Sequence, residues 1–449
     1  MANAVIILAA GKGTRMKSDL PKVLHKIAGA PMLIHAMQSS EAIEPSRMII
    51  VAGHGANQVE KAALDYNPAA QIVIQKEQNG TADAANQARD ILKDFKGDAV
   101  VLFGDTPFIS PETLTRVFEA RESADVVVLG FEAADPMGYG RLITDGDRLL
   151  KITETKDCTK DELKISLCNS GVMAAKSETL FSLIDDVSDD NSQGELYLTD
   201  IVGIANDRGM NCAVVTCPEA ETLGINSRAH LAEAEAIFQN QRRKELMDEG
   251  VTLTDPATTF LAFDTHIGRD VIIGPNTLFG PGVTVETGAH IKGFCHLEGC
   301  HISQGAEIGP FARLRPGAEI GDNARVGNFV EIKNSELATG AKVGHLTYLG
   351  DASIGAESNI GAGTVTCNYD GVFKHRTEIG RDVFIGTHTS LVAPVTVGDG
   401  AFTATGSVIT KDISEGDMAI GRGRQVNKPG LGAKFMERLR ALKKAGKRP

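Results

Sequence analysis

From the N-terminus to about residue 227, short apolar runs alternate with stretches of helical spacing. The runs Val5–Leu8, Met48–Val51, Ile72–Ile74, Ala99–Phe103 and Val126–Leu129 are short enough to be strands and apolar enough to be covered on both sides. Their alternation with helical segments predicts βαβ units around a mostly parallel sheet. Arg228–Gly250 then carries apolar residues at helical spacing with no internal Pro or Gly, and its closing glycine marks a helix stop. It reads as a connecting helix between two domains, 1–227 and 251–449.

Beyond residue 251 the period changes to six. Apolar residues fall at Ile267, Ile273, Phe279, Val285, Ile291 and Leu297, then at Ile302, Ile308, Leu314, Ile320, Val326 and Ile332. They continue at Leu337, Val343 and Leu349, at Ile354 and Ile360, and at Ile379, Ile385, Leu391, Val397, Thr403 and Ile409. A six-residue period is neither helical nor the alternation of one flat strand. It fits short strands meeting at corners, each returning one residue to the axis of a stacked prism, a parallel β-helix. The segment between Ile360 and Ile379 contains TCNYDGVFKHRT, too polar for the interior, and is predicted to project as a loop.

The chain has 449 residues with 42% hydrophobic and 23% charged, ordinary globular values, but 48 glycines and no tryptophan, as tight repetitive backbone requires. No stretch approaches the roughly 20 apolar residues of a membrane helix, so a soluble, unexported protein without a membrane partner is expected. Seven cysteines without a CxxC support neither a disulfide framework nor a zinc site, and predict a reduced, cytoplasmic chain. The net charge of −12 is uneven: residues 421–449 hold ten Lys or Arg and one Glu, leaving an acidic body. Such a body repels nucleic acid, which is therefore not an expected partner.

The segment Leu8-Ala9-Ala10-Gly11-Lys12-Gly13-Thr14-Arg15-Met16 follows an apolar strand and leads to Leu20-Pro21-Lys22. Its glycines allow close approach of backbone to an anion, and Arg15 and Lys22 bring charge, but neither the Walker A nor the dinucleotide spacing is present. By these residues alone, phosphate binding and a tight structural turn stay equally open. The whole string, with Gln75, Gly80-Thr81, Phe103-Gly104-Asp105, Gly138-Tyr139-Gly140-Arg141, Glu154, Asn169 and Gly224-Ile225-Asn226, resembles the sugar-1-phosphate nucleotidyltransferases, whose catalytic domain is Rossmann-like. Joined to hexapeptide repeats, it resembles the bacterial bifunctional amino-sugar-phosphate uridyltransferase–acetyltransferases over nearly the whole chain.

That resemblance implies Mg2+ on Asp105 and Asn226, with Arg15 and Lys22 stabilising charge on the triphosphate of UTP. It carries Leu8, Ala9, Ala10 and Gly11 to the nucleotide, Gln75, Gly80 and Thr81 to the uracil, and Gly140, Glu154 and Asn169 to the sugar. Phe103 departs from the family's tyrosine.

In the second half, His345 stands two residues after a repeat position, where it should face outward or into a subunit groove, and histidine titrates near working pH, as a general base must. The resemblance carries Arg315, Lys333, Tyr348 and Asn359 to glucosamine-1-phosphate, and Tyr369 to the amino sugar where it meets acetyl-CoA. It places Asn368 at the reacting amine and the amide of Ala362 at the thioester oxygen. Lys374, Thr387, Thr405 and Arg422 go to acetyl-CoA, with Thr387 and Thr405 departing from the family's serine and alanine. The implied whole is a homotrimer with a left-handed β-helix. It acetylates glucosamine-1-phosphate with acetyl-CoA and then joins N-acetylglucosamine-1-phosphate to UMP from UTP, a product for cell-envelope polysaccharides.

Overall fold

A computed structural model describes residues 2–447. By internal contacts the chain forms two compact units, one reaching to Glu245 and taking in Leu261–Phe263, the other comprising Leu246–Phe260 and the chain from Asp264 onward.

The first unit is built on a nine-stranded mixed sheet. Its strands are β1 (Ala2–Ala9), β2 (Arg47–Ala52), β3 (Gln71–Ile74), β4 (Gly97–Phe103), β5 (Val126–Glu132), β6 (Arg141–Asp145), β7 (Arg148–Thr153), β8 (Leu167–Lys176) and β9 (Cys212–Thr216). They lie in the order β3-β2-β1-β4-β8-β5-β9-β7-β6. The four strands β3, β2, β1 and β4 run parallel, and β8 enters antiparallel between β4 and β5. Along β1 successive side chains go to opposite cores: Val5, Ile7 and Ala9 pack on one face, Ala4, Ile6 and Leu8 on the other. Each fully buried aliphatic side chain contributes about 1.5–3 kcal/mol, so a strand covered on both sides is apolar throughout. The predicted apolar runs are the centres of β1 to β5, each extended by up to three residues at its ends.

The helix Arg228–Asp248 is tied to this unit by side chains. Glu235 accepts from the amide of Ala28 at 2.7 Å, and Gln239 brackets Leu261, accepting from its amide at 2.9 Å and donating to its carbonyl at 2.7 Å. Gly250, at φ 94°, supplies the backbone that turns the chain out of the helix.

The second unit is a parallel β-helix. Three ladders of short parallel strands stack along it: one through Ile273, Ile291, Ile308 and Val326, a second through Phe279, Leu297, Leu314 and Ile332, a third through Val285, Ile302, Ile320 and Leu337. All of the six-spaced residues named above, from Ile267 to Ile409, are buried. The steps shortened by one residue, Leu297 to Ile302, Ile332 to Leu337 and Leu349 to Ile354, all occur at the corner between the second and third ladders, which therefore tolerates length changes without shifting the interior register.

One expectation is corrected in detail. Val365–Cys367, inside the stretch predicted to project, is a strand paired with Ser390–Val392, and Thr366 fills the interior. A threonine is accepted there because its hydroxyl is satisfied by the backbone, accepting from Gly350 N at 2.8 Å. The projection begins after it, where Tyr369, Val372 and Phe373 are exposed.

Candidate functional sites

In the first unit the parallel strands β1 and β4 end side by side, and the segments following them define a cleft of about 270 Å3. Ligands of open α/β sheets bind beyond such strand ends. Leu8, Ala9, Ala10, Gly11, Lys22, Gln75, Gly80, Thr81 and Asp105, all singled out from the sequence, line it, together with Phe103. A Cβ on Gly11 would meet no protein atom, so that glycine leaves bare backbone towards the opening. Gly13 acts differently: at φ 59° its missing Cβ is what lets the stem of Lys22 approach.

The ammonium of Lys22 then reaches across the cleft, pairing with the Asp105 carboxylate and donating to Asn226 Oδ1 at 3.0 Å. Two oxygen donors from segments 121 positions apart therefore converge on one cation-sized point. One carboxylate and one amide oxygen, with phosphate and water completing the shell, suit Mg2+. No group of three or more His, Cys, Asp or Glu arranged for a metal occurs among the described residues. Arg15 is exposed on the turn Thr14–Met16, outside the residues lining the cleft.

The sugar-side residues form a second cluster. Asn169 donates its amide to Gly140 O at 2.9 Å, and Glu154 accepts from the Thr199 hydroxyl at 3.3 Å. Burial holds the Glu154 carboxyl above its ordinary pKa, opposed by the Thr199 hydrogen bond and assisted by Asp200. Val23, Gln78, Ala84 and Glu195 also line the cleft and were not singled out from the sequence. Gln78 holds the loop by donating to Ala10 O at 2.6 Å. Its proximity comes from the turn after β3 and has no signature in spacing.

In the second unit one corner of the prism carries a column of equivalent positions, each two residues after a buried residue of the first ladder: Asn328, His345, Ala362, Thr387 and Thr405. Backbone hydrogen bonds link the coils beside it, Gly363 to His345, His388 to Ala362 and Gly406 to Thr387. Asn328 and His345 are register partners, with Oδ1 and Nδ1 2.7 Å apart. The amide of Ala362 donates to no other group among the described residues. Arg422 caps the column by donating to Thr405 O at 2.6 Å.

The second unit also holds a cluster of cations. Lys333 lies against Lys374, and that ammonium lowers its pKa, with desolvation next and Arg315 after it. Arg315 also pairs with Glu331 at 2.8 Å. Asn368 is buried and donates to Asp351, which accepts from Asn334 at 2.6 Å as well. Tyr369 is exposed and donates its hydroxyl to Gly371 O at 2.6 Å, while Tyr348 and Asn359 are half-buried. Asn328 was not anticipated, although counting one 17-residue coil back from His345 reaches it.

Comparison with known proteins finds matches in both parts of the chain. Residues 5–248 match the MobA-like NTP transferase domain, residues 299–334 the bacterial transferase hexapeptide, and residues 376–411 the hexapeptide repeat of succinyl-transferase. The chain is 62% identical over 445 residues to the bifunctional protein GlmU of Ruegeria sp. (strain TM1040), covering 99% of both chains. It is 60% identical to that of Dinoroseobacter shibae, again over 99% of each, and 61% identical to that of Ruegeria pomeroyi over 100% of this chain and 99% of the relative.

Proposed function

The chain belongs to the bifunctional GlmU family, and from that premise we propose how its residues divide the work between two sites. The protein is both a glucosamine-1-phosphate N-acetyltransferase and a UDP-N-acetylglucosamine diphosphorylase, the first on the left-handed β-helix and the second on the mixed sheet. The observation that carries the reading is the presence, in one chain, of the Lys22–Asp105–Asn226 convergence and of His345 held by Asn328 on a β-helix that also gathers three cations.

In uridylyl transfer, a phosphate oxygen of N-acetylglucosamine-1-phosphate bonds to the α-phosphorus of UTP while the α–β bridging bond breaks and pyrophosphate leaves. Asp105 and Asn226 would hold Mg2+, which when bound gathers and neutralises triphosphate oxygens. Lys22, released towards the phosphates, places its charge where the leaving group gains it, and Arg15 adds charge from the mouth of the loop. The backbone of Leu8 to Gly11 cradles the nucleotide, Gln75, Gly80 and Thr81 meet the uracil, and Gly140, Glu154 and Asn169 hold the sugar. No protein nucleophile is needed.

In acetyl transfer, His345 Nε2 takes a proton from the glucosamine nitrogen as that nitrogen attacks the thioester carbon. The C–S bond breaks, the leaving sulfur takes that proton from His345, and CoA departs as the thiol. The unused amide of Ala362 supports oxyanion stabilisation, and the buried Asn368, fixed by Asp351, would orient the amine. Arg315 and Lys333 form an anion site for the sugar phosphate, with Tyr348, Asn359 and Tyr369 around the amino sugar; Lys374, assigned to acetyl-CoA, adjoins Lys333 and lends its charge to the same site. Thr387, Thr405 and Arg422 continue the same corner column and would follow acetyl-CoA along it.

A homotrimer is part of this proposal. Phe294, Phe311 and Phe329 stack at another corner position of successive coils with centroids 4.9 and 5.2 Å apart, and all three are exposed, offering apolar surface to a second copy. The seven cysteines are all free, which supports the proposed cytoplasmic location. No described helix is long and apolar enough to cross a membrane.

One assay tests both halves: purified protein with Mg2+, acetyl-CoA, glucosamine-1-phosphate and UTP, following CoA thiol and pyrophosphate together. Both signals are expected. Pyrophosphate only when N-acetylglucosamine-1-phosphate is supplied, with no thiol, would reduce the β-helix to a scaffold.

A further inference from the structure

Gln75 follows β3 and lines the nucleotide cleft, with only 5% of its surface exposed. Its backbone is fixed by donating to Ala52 O at 2.8 Å. Its side-chain Nε2 makes two hydrogen bonds, to Asp83 Oδ2 at 2.7 Å and to Gly80 O at 3.2 Å. Both partners are acceptors only, a carboxylate and a carbonyl, so the amide nitrogen and not the oxygen must face them. Asp83 is itself held: Gln87 donates to its other oxygen, Oδ1, at 3.2 Å and to its carbonyl at 3.1 Å. The atom of Gln75 left over is Oε1, which accepts from no group of the described protein. The N–H of Gly80, whose carbonyl binds the same carboxamide, donates to no described group either. Two lining residues in contact with each other thus offer the cleft one free acceptor and one free donor.

We propose that Asp83 sets the base specificity of the nucleotide site, by locking the Gln75 carboxamide so that its oxygen faces the base and accepts a ring N–H. The inference rests on reading this cleft as the nucleoside triphosphate site. Uracil offers a donor at N3 flanked by carbonyl oxygens, which matches an acceptor and a donor side by side. Cytosine offers a lone pair at N3 and an amino group at C4, so the same pair of protein atoms would meet it acceptor to acceptor and donor to donor. A site that must leave buried polar groups mispaired rejects a ligand far more strongly than one that loses an apolar contact. Asp83 acts through Gln75 and is a positioning residue.

The test uses the full chain with N-acetylglucosamine-1-phosphate and Mg2+, measuring kcat/KM with UTP and with CTP for the wild type and Asp83→Asn. The asparagine can donate as well as accept, so of the two acceptors that orient the Gln75 amide only the longer contact, to Gly80 O, remains. The UTP-to-CTP ratio should fall by about tenfold, the worth of one redirected hydrogen bond. Acetyl transfer in the same preparations reports that the chain is folded. A parallel fall for both nucleotides with the ratio unchanged would make Asp83 merely structural and overturn the proposal. Should Asp83→Asn fail to fold, Gln75→Met removes the amide with little change in length and must collapse the ratio; a retained ratio overturns the proposal equally. Absence of nucleotide-dependent pyrophosphate release in the wild type would instead remove the reading of the cleft on which it stands.

Discussion

Asn328 Oδ1 stands 2.7 Å from Nδ1 of His345, one coil away in direct register. A carboxamide oxygen only accepts, so the proton of the neutral imidazole sits on Nδ1 and the lone pair on Nε2, the tautomer a general base requires. Asn328→Ala should lower kcat for acetyl transfer by about tenfold, leaving the KM values and uridylyl transfer unchanged. Asn328→Asp places a carboxylate against the ring and favours imidazolium, so the acidic limb of the acetyl-transfer pH profile should move to higher pH. A drop in rate with no movement of that limb would assign Asn328 to packing.

The cations of the second unit carry a further pH signature. Lys333 is held below its ordinary pKa, first by Lys374, then by desolvation and Arg315. It therefore loses its charge at lower pH than a free lysine, and KM for glucosamine-1-phosphate should begin to rise correspondingly early on the alkaline side. Lys374→Met removes the main repulsion, so Lys333 stays charged to higher pH. KM should be larger near neutrality, because one cation is gone, yet its alkaline rise should come later. KM measured between about pH 7 and pH 10 decides this; an unmoved rise would separate the two lysines functionally.

Gly80 has φ 124°, and a Cβ there would collide with the carbonyl of Leu196, which already accepts from the amide of Ala82 at 2.9 Å. Both the backbone conformation and the close approach require glycine. Gly80→Ala should destabilise the first unit by about 1–3 kcal/mol and depress uridylyl transfer, while acetyl transfer continues. Thermal unfolding with both assays on one preparation reads this directly. Equal loss of both activities would mean that the strain spreads beyond the nucleotide cleft.

Much of this architecture is legible in the sequence because its spacing rules are strict. Every coil must return a residue to the axis, so Ile308 or Val343 cannot shift by one position without facing outward. Thr366 lies six residues after Ile360 but opens a polar stretch that reads as a projection, whereas the interior accepts a hydroxyl that bonds the backbone of the preceding coil, as Thr403 does too. In the first unit, Lys22, Asp105 and Asn226 could be named from a motif, but their convergence on one point belongs to tertiary structure. Asp83 and Gln78 leave no pattern at all. They act on Gln75 and Ala10 through turns whose geometry depends on the packed sheet.

Glu154 sets stability against function. Burial raises its carboxyl pKa above the ordinary range. A group whose folded pKa lies above its unfolded one favours the folded state at pH below the unfolded value, and that contribution is lost as pH rises through the folded value. At neutral pH the ionised Glu154 therefore costs stability, which only a ligand donating hydroxyls to its oxygens would offset. Glu154→Gln removes the buried charge. Its melting temperature at pH 7 should exceed the wild type's by about 2–4 °C, and the difference should vanish towards the acid range where Glu154 is protonated in both states. The same variant has one acceptor fewer for the sugar, and its KM for N-acetylglucosamine-1-phosphate should rise about tenfold. A variant less stable than the wild type at pH 7 would show that the Thr199 hydrogen bond outweighs desolvation at this position.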